Sequence, residues 1–322
     1  MFINYPGWYH RLSQYFKNKF GSKVYKIPVH AGFTCPNRDG TISSEGCYYC
    51  YNPGFSPSAA EEAGEPSLEE QVWGFIKRRE KLKEDGYHSL TPRGKYLVYF
   101  QSYTNTYGST GELDKLYRQA VGYPGVIGIS VATRPDCLSQ EVVQLLASYA
   151  DEYHVWVELG LQSSHNKTLE EINRRHTAEC FAEAAESFQE TAVNLCAHII
   201  NGLPGETMQH MLDTVKFINA LPLNGIKFHQ LQVVAHTPLA GKYKEGEFKV
   251  LTEEGYLDIV CSQLELLRED IVVHRLMSEV ADPQLLIAPR WDLRRSTFSQ
   301  KVEQELKNRN SFQGAERRVE TP

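Results

Sequence analysis

The chain has 322 residues, of which 23% are charged and 41% hydrophobic, and a net charge of -6. That is an ordinary globular composition, and the acidic balance excludes a general nucleic-acid-coating surface. Apolar runs such as Tyr96–Phe100 and Val126–Ala132 are too short to span a membrane.

Met1 to Lys26 is aromatic and basic and has no apolar core segment, so it does not read as a signal peptide. It leads to β-branched and apolar runs that alternate with helical patterns. Strands are expected at Val24–Val29, Lys95–Gln101, Val126–Ala132, Tyr153–Leu159, Val193–Ile200 and Ile226–Val234. Helices are expected between them, at Leu68–Lys83, Leu113–Ala120, Gln140–Tyr149, Cys180–Thr191 and Met208–Ala220, with an acidic loop at Glu61–Pro66. Six strand–helix units imply a parallel sheet curled into a partial (β/α)6 TIM-like barrel, an α/β fold. Chemistry on such barrels sits at the C-terminal ends of the strands. Beyond the barrel, Thr252–Leu267 reads as a helix capped by Thr252, with Glu253 and Glu254 suited to its first turn. A last strand is expected at Val272–Arg275 and another helix at Ser296–Asn308, followed by a polar, frayed Gln313–Pro322. The expected organisation is an N-terminal basic and aromatic extension over 1–22, a core barrel over 23–250 and a C-terminal helical extension over 251–322.

Seven cysteines in a chain of this size, only three of them clustered, argue against a disulfide framework and for a reducing, cytoplasmic compartment. The cluster is Cys35-Pro-Asn-Arg followed by Glu45-Gly-Cys47-Tyr-Tyr-Cys50, just after the first strand. Iron–sulfur clusters are held by cysteine thiolates, normally four. Three would leave one iron open to bind a substrate or cofactor directly. Asp39-Gly40 and Gly46 permit the turns that would fold three sulfurs round one cube. Structural zinc is the rival reading, because Cys47-x-x-Cys50 is a common zinc half-site that Cys35 and His30 would complete. Cys137, Cys180, Cys196 and Cys261 are isolated and read as buried small apolar residues.

The cysteines and the segments at the later strand ends together resemble the radical SAM superfamily, and within it the YhcC/YtqA-type family related to the Elongator Elp3 catalytic barrel. The long C-x11-C-x2-C spacing is similar to that branch and departs from the C-x3-C-x2-C of most of the superfamily. The resemblance implies a 4Fe-4S cluster on Cys35, Cys47 and Cys50, and S-adenosyl-L-methionine bound beside it. Tyr49 matches an aromatic residue that packs near the adenine. Gln101, Thr104 and Asn105 end the second strand, where the superfamily holds the methionine amino group, although the usual Gly-Gly-Glu is absent. Glu158 and Gln162 resemble the ribose-binding segment, since a carboxylate accepts hydrogen bonds from sugar hydroxyls. Arg174 resembles the arginine that pairs with the methionine carboxylate. Gly202, Pro204, Gly205 and Glu206 resemble a glycine-rich segment that supports the adenine, and Val234 lies where backbone contacts to adenine are made. Taken singly, Glu158 reads equally as a salt-bridged rim residue, Arg174 and Arg175 as a solvated helix face, and the glycine-rich segment as turns. The Ala132–Asp136 stretch reads as a loop with a helix cap.

The resemblance further implies reductive cleavage of S-adenosylmethionine, fed by a low-potential donor of the flavodoxin or ferredoxin kind. No second cysteine motif points to an auxiliary cluster, and no acetyltransferase segment is recognised. Met1 to His30 interleaves Arg11, Lys17, Lys19, Lys23 and Lys26 with aromatics, and the C-terminal region adds Arg290, Arg294, Arg295, Lys301, Lys307 and Arg309. These ends either form a positive face for RNA or close the bottom of the barrel with an amphipathic helix. The Elp3 kinship points to tRNA wobble-uridine modification. A small-metabolite radical SAM enzyme and a non-catalytic zinc or iron–sulfur module are the alternatives.

Overall fold

A computed structural model of the chain describes residues 7–55, 66–84 and 94–318. Most of the expected acidic loop, the first six residues and the last four lie outside the described residues. The strands are β1 (Val24–Val29), β2 (Lys95–Phe100), β3 (Val126–Thr133), β4 (His154–Gln162), β5 (Asn194–Asn201), β6 (Gly225–Gln230), β7 (Val233–Val234), β8 (Val272–Arg275) and β9 (Leu286–Ala288). The helices are α1 (Leu12–Phe20), α2 (Asn52–Phe55), α3 (Leu68–Glu84), α4 (Thr110–Val121), α5 (Gln140–Ala150), α6 (Asn166–Glu171), α7 (Ala178–Glu186), α8 (Met208–Asn219), α9 (Pro238–Lys244), α10 (Glu253–Leu266) and α11 (Arg295–Asn308).

Seven strands form one parallel sheet in the order β1-β2-β3-β4-β5-β6-β8. This is the expected α/β partial barrel with one more strand than the six regular units. The seventh, β8, follows α10 and pairs with β6. The sheet strands are almost continuously apolar or buried because helices cover the outer face. The long strand expected at 226–234 is broken after Gln230. Its end turns away as β7, which pairs antiparallel with β9.

The outer core lies between the sheet and the helices, with Val72, Tyr117, Leu146, Phe181, Val215 and Val260 among its fully buried side chains. A second apolar layer plugs the inside of the barrel at the N-terminal ends of the strands. Here Val24, Leu97, Trp156, Cys196 and Val272 meet Phe16 of α1, with Leu12, Tyr15 and Phe20 beside them. Helix α1 ends on Gly21, which has the left-handed φ of 68° that suits glycine. It packs between the two sheet edges, and Arg11 bridges to Val273 of β8. The N-terminal basic and aromatic segment therefore closes the bottom of the barrel. Of the C-terminal cations, Arg309 pairs with Asp258, Glu265 and Glu305, Lys301 with Glu253, and Arg295 with Glu279. Much of the positive charge expected at that end is thus already matched by acids. Among the described residues no helix is long and apolar enough to cross a membrane.

Candidate active site

The segment after β1 folds on itself in short turns. Arg38 and Asp39 donate backbone N–H groups to the Cys35 carbonyl, and Ile42 donates to Pro36. Gly40 and Gly46 adopt φ of 92° and 72°, the conformation for which the sequence reserved glycine. A further turn closes with Cys50 N–H on the Cys47 carbonyl at 2.9 Å. Cys35, Cys47 and Cys50, all free thiols, line one wall of a cavity of about 1300 Å³ at the C-terminal ends of the strands.

Cys47 is buried and sits in a donor-rich setting. Asn37 Nδ2 donates to its Sγ at 3.4 Å and to the Asn173 carbonyl at 2.8 Å. Asn173 returns a bond to the Gly46 carbonyl at 2.6 Å. Arg174 Nη1 lies 3.6 Å from Cys47 Sγ, while its Nη2 donates to the Gly160 carbonyl at 2.7 Å. Gly160 makes this reach possible, since a Cβ there would sit 2.5 Å from Arg174 Nη2. Arg134 is held bidentate by Asp136 at 2.9 and 2.7 Å and donates to the Arg174 carbonyl at 3.0 Å. Burial pushes the Cys47 thiol up, but the Arg174 and Arg134 guanidiniums outweigh it and leave the pKa below the usual thiol value. Three thiols on one wall, one of them supplied with N–H donors and positive charge, fit a thiolate-ligated cluster. Among the described residues no three His, Cys, Asp or Glu side chains form a site ready for a single metal ion.

Below the thiols, the barrel interior is polar. Two residues beyond the apolar plug along each strand, a polar side chain points inward: Lys26, Tyr99, Glu158, His198 and His274 follow Val24, Leu97, Trp156, Cys196 and Val272. Ser130 and Lys227 complete the layer. Glu158 is its centre. Its Oε1 accepts from Lys26 Nζ at 2.6 Å and Ser130 Oγ at 2.7 Å. Its Oε2 accepts from Lys227 Nζ and lies 2.9 Å from His198 Nε2. Lys227 also donates to the Tyr99 hydroxyl at 3.1 Å. Burial pushes the Glu158 carboxyl up, yet Lys227, Lys26 and His198 together hold it well below the usual range. Burial pushes Lys227 down to about 7 against the pull of Glu158. It lowers His198 to about 4, and it also drives His229 and His274 down, so these rings are neutral at pH 7.

Of the residues singled out in the sequence, Tyr49, Gln101, Thr104, Glu158, Gln162 and Arg174 line this cavity together with the cysteines. Glu158 lies a layer deeper than a rim position, and both its oxygens are occupied by the strand side chains. Asn105 is buried behind the wall, where its Nδ2 donates to the Phe100 and Ala132 carbonyls and ties β2 to β3. Gly202, Pro204, Gly205 and Glu206 form the turn after β5 and do not line the cavity. Glu206 accepts from Ser163 there. Val234 is buried in β7 against β9, and Gln230, Leu231, Gln232 and His236 line the cavity around it. Cys196 and Cys261 are buried as expected, whereas Cys137 and Cys180 are only half-buried. Sequence reasoning missed Asn37, Arg134, Lys26, His198, Lys227, His229, His274 and Arg275. A signal existed for the strand residues: charged or imidazole side chains at alternate positions of otherwise apolar strands in a sheet covered on its outer face.

The Radical SAM superfamily model matches residues 35–218, and the Radical_SAM C-terminal domain model matches residues 223–308. Among curated proteins, YtqA of Bacillus subtilis is 36% identical over 95% of this chain and 92% of its own length. A tRNA uridine(34) acetyltransferase of Methanocaldococcus jannaschii is 27% identical over 48% of this chain and 28% of its own length. Among solved structures, the archaeal Methanocaldococcus infernus Elp3 superposes with a TM-score of 0.66 at 16% identity, covering 90% of this chain and 64% of that one. At that identity the likeness is one of fold.

Proposed function

The chain belongs to the radical SAM superfamily, in the group that contains YtqA, and from that premise we propose that it acts on a tRNA uridine side chain with a 4Fe-4S cluster held by Cys35, Cys47 and Cys50. The observation that carries the cofactor reading is the placement of all three thiols on one wall of the strand-end cavity. Held there, such a cluster would supply the electron for reductive cleavage of S-adenosylmethionine.

The chain's own residues do the rest. Arg174, Arg134 and Asn37 stabilise the Cys47 thiolate by hydrogen bonds and charge. Gln101, Thr104, Gln162 and Tyr49 line the space next to the thiols, where the cofactor's polar groups would be oriented. The apolar plug under α1 underlies the cavity at the N-terminal ends of the strands. A low-potential electron carrier of the flavodoxin or ferredoxin kind would be the partner, and the cytoplasm the setting in which it is met.

The tRNA reading rests on the partial match to a tRNA uridine(34) acetyltransferase, which covers about half of this chain. It is tested by comparing the nucleosides of bulk tRNA from a strain with and without the gene. The expected result is accumulation of a precursor uridine in the deletion strain, converted in vitro by the cluster-loaded protein. Unchanged nucleosides together with RNA-independent cleavage of S-adenosylmethionine would point instead to a small-metabolite substrate.

A further inference from the structure

Barrel interiors of this kind are filled by branched apolar side chains. Here every strand of the main sheet places a polar group below the thiols, and the charges do not balance. Lys26 and Lys227 share the Glu158 carboxylate, and Arg275 faces the cavity beside them; Glu45 and Glu279 also line it, Glu279 paired with Arg295 and Glu45 accepting from the Tyr48 hydroxyl. Both oxygens of Glu158 are already shared among Lys26, Ser130, Lys227 and His198. The side chain of Arg275, the last residue of β8, makes no hydrogen bond or ion pair with the described residues, although it lines the cavity. A guanidinium offers five donors in a fork that matches a carboxylate or phosphate. Two nearby rings are also underused: His229 Nε2 and both nitrogens of His274 are buried without a hydrogen-bond partner. A half-buried guanidinium with idle donors, beside two lysines that share one carboxylate, is better completed by an anion than by a neutral group. The burial and like charge that lower Lys227 are the electrostatic counterpart of the same imbalance.

We propose that the floor of the cavity is an anion subsite, in which Arg275, with Lys26 and Lys227 beside it, takes a carboxylate or phosphate group of the substrate. The group would sit among the partners of Glu158, apart from the Arg174 guanidinium that lies against the Cys47 thiol. A neutral substrate would leave the Arg275 guanidinium without a partner, so the subsite also selects by charge.

The proposal rests on the cavity being the substrate chamber, and not on the substrate being RNA. The test is calorimetric titration of the full-length protein with acetate and, separately, with inorganic phosphate. Saturable binding of at least one of the two is expected, in the millimolar range or tighter, weakened at least tenfold by Arg275→Gln. Preference for acetate would identify a planar acid as the group recognised, and preference for phosphate a phosphoryl group. Arg275→Lys keeps the charge and loses the fork, so it should bind more weakly than wild type and better than Arg275→Gln. It also serves as the informative variant if the glutamine form does not fold. Arg118→Gln, an exposed residue paired to Asp114, should bind as wild type. Absence of saturable binding by both anions, or equal binding by wild type and the Arg275 variants, would overturn the proposal. Neither readout requires cleavage of S-adenosylmethionine. Cleavage without anion binding therefore sinks the subsite alone, and anion binding without cleavage sinks the cofactor reading alone.

Discussion

Glu158 shows how one residue organises the interior. Its carboxylate is fully buried and held by two lysines, a serine and a histidine. Removing one partner of such a group leaves uncompensated buried charge, which typically costs about 3–5 kcal/mol. Glu158→Gln should therefore lower stability by about that amount in urea unfolding of the cluster-free protein. A loss within experimental error would mean that the lysines find water instead. Lys227 carries a separate signature in pH. Its amine is depressed to about 7 in the folded chain, against about 10.4 when unfolded. Between those values the unfolded chain binds more protons, so stability rises with pH across that window and is flat with respect to this group below it. Lys227→Met should remove that slope from the difference between variant and wild type. Glu158 has the opposite placement: its stabilisation is fully present above about pH 4.3, the unfolded carboxyl value. It is lost only as pH falls through the lower folded pKa.

At the scale of elements, local chemistry decided most of the boundaries. Ser109 caps α4 with a reciprocal bond from Glu112, and Thr252 caps α10 through the Gly255 N–H, as the sequence indicated for Thr252. Strands β1 and β8 run over the expected residues; β1 is a β-branched run bounded by Lys23 and His30, and β8 opens on the paired valines Val272 and Val273. The elements that escaped the pattern are the short ones. Helices α6 and α9, of 6 and 7 residues, are too brief to show a hydrophobic period. β7 with β9 is a pairing of residues some 50 positions apart, for which neither segment carries a sign. Helix α1 was legible as amphipathic but not as to its place, since the same basic and aromatic residues suit RNA. Packing decides for the barrel: Phe16 is 3% exposed among Val24, Leu97, Trp156, Cys196 and Val272. Phe16→Ala should cost about 3–5 kcal/mol, seen as a lower unfolding midpoint. A change of a few tenths would mean that α1 lies loosely on the barrel.

For the whole molecule, alternation of strands and helices was enough to foretell an α/β barrel, and the three clustered cysteines line its strand-end cavity. The order of later segments matched the strand ends, and Gln101, Thr104, Gln162 and Arg174 arrive in the cavity with the thiols. Residues of the turn after β5 stand behind it, because the chain leaves the sheet there with φ of 85° at Gly202 and 79° at Gly205. What could not be read was convergence. Lys26, Glu158, His198, Lys227 and His274 come from five strands spread over about three quarters of the chain, and only the curl of the sheet makes them neighbours. Arg134 likewise looked like a loop residue and is found bracing Arg174 beside Cys47.

The central claim is that these thiols hold a redox cluster on which S-adenosylmethionine is cleaved. It is tested most directly by anaerobic reconstitution with iron and sulfide, followed by dithionite and S-adenosylmethionine, with iron content and 5′-deoxyadenosine measured together. About four irons per chain and formation of 5′-deoxyadenosine are expected, both lost when Cys35, Cys47 and Cys50 are replaced by alanine. Zinc in place of iron, or a cluster that survives the triple replacement, would contradict it.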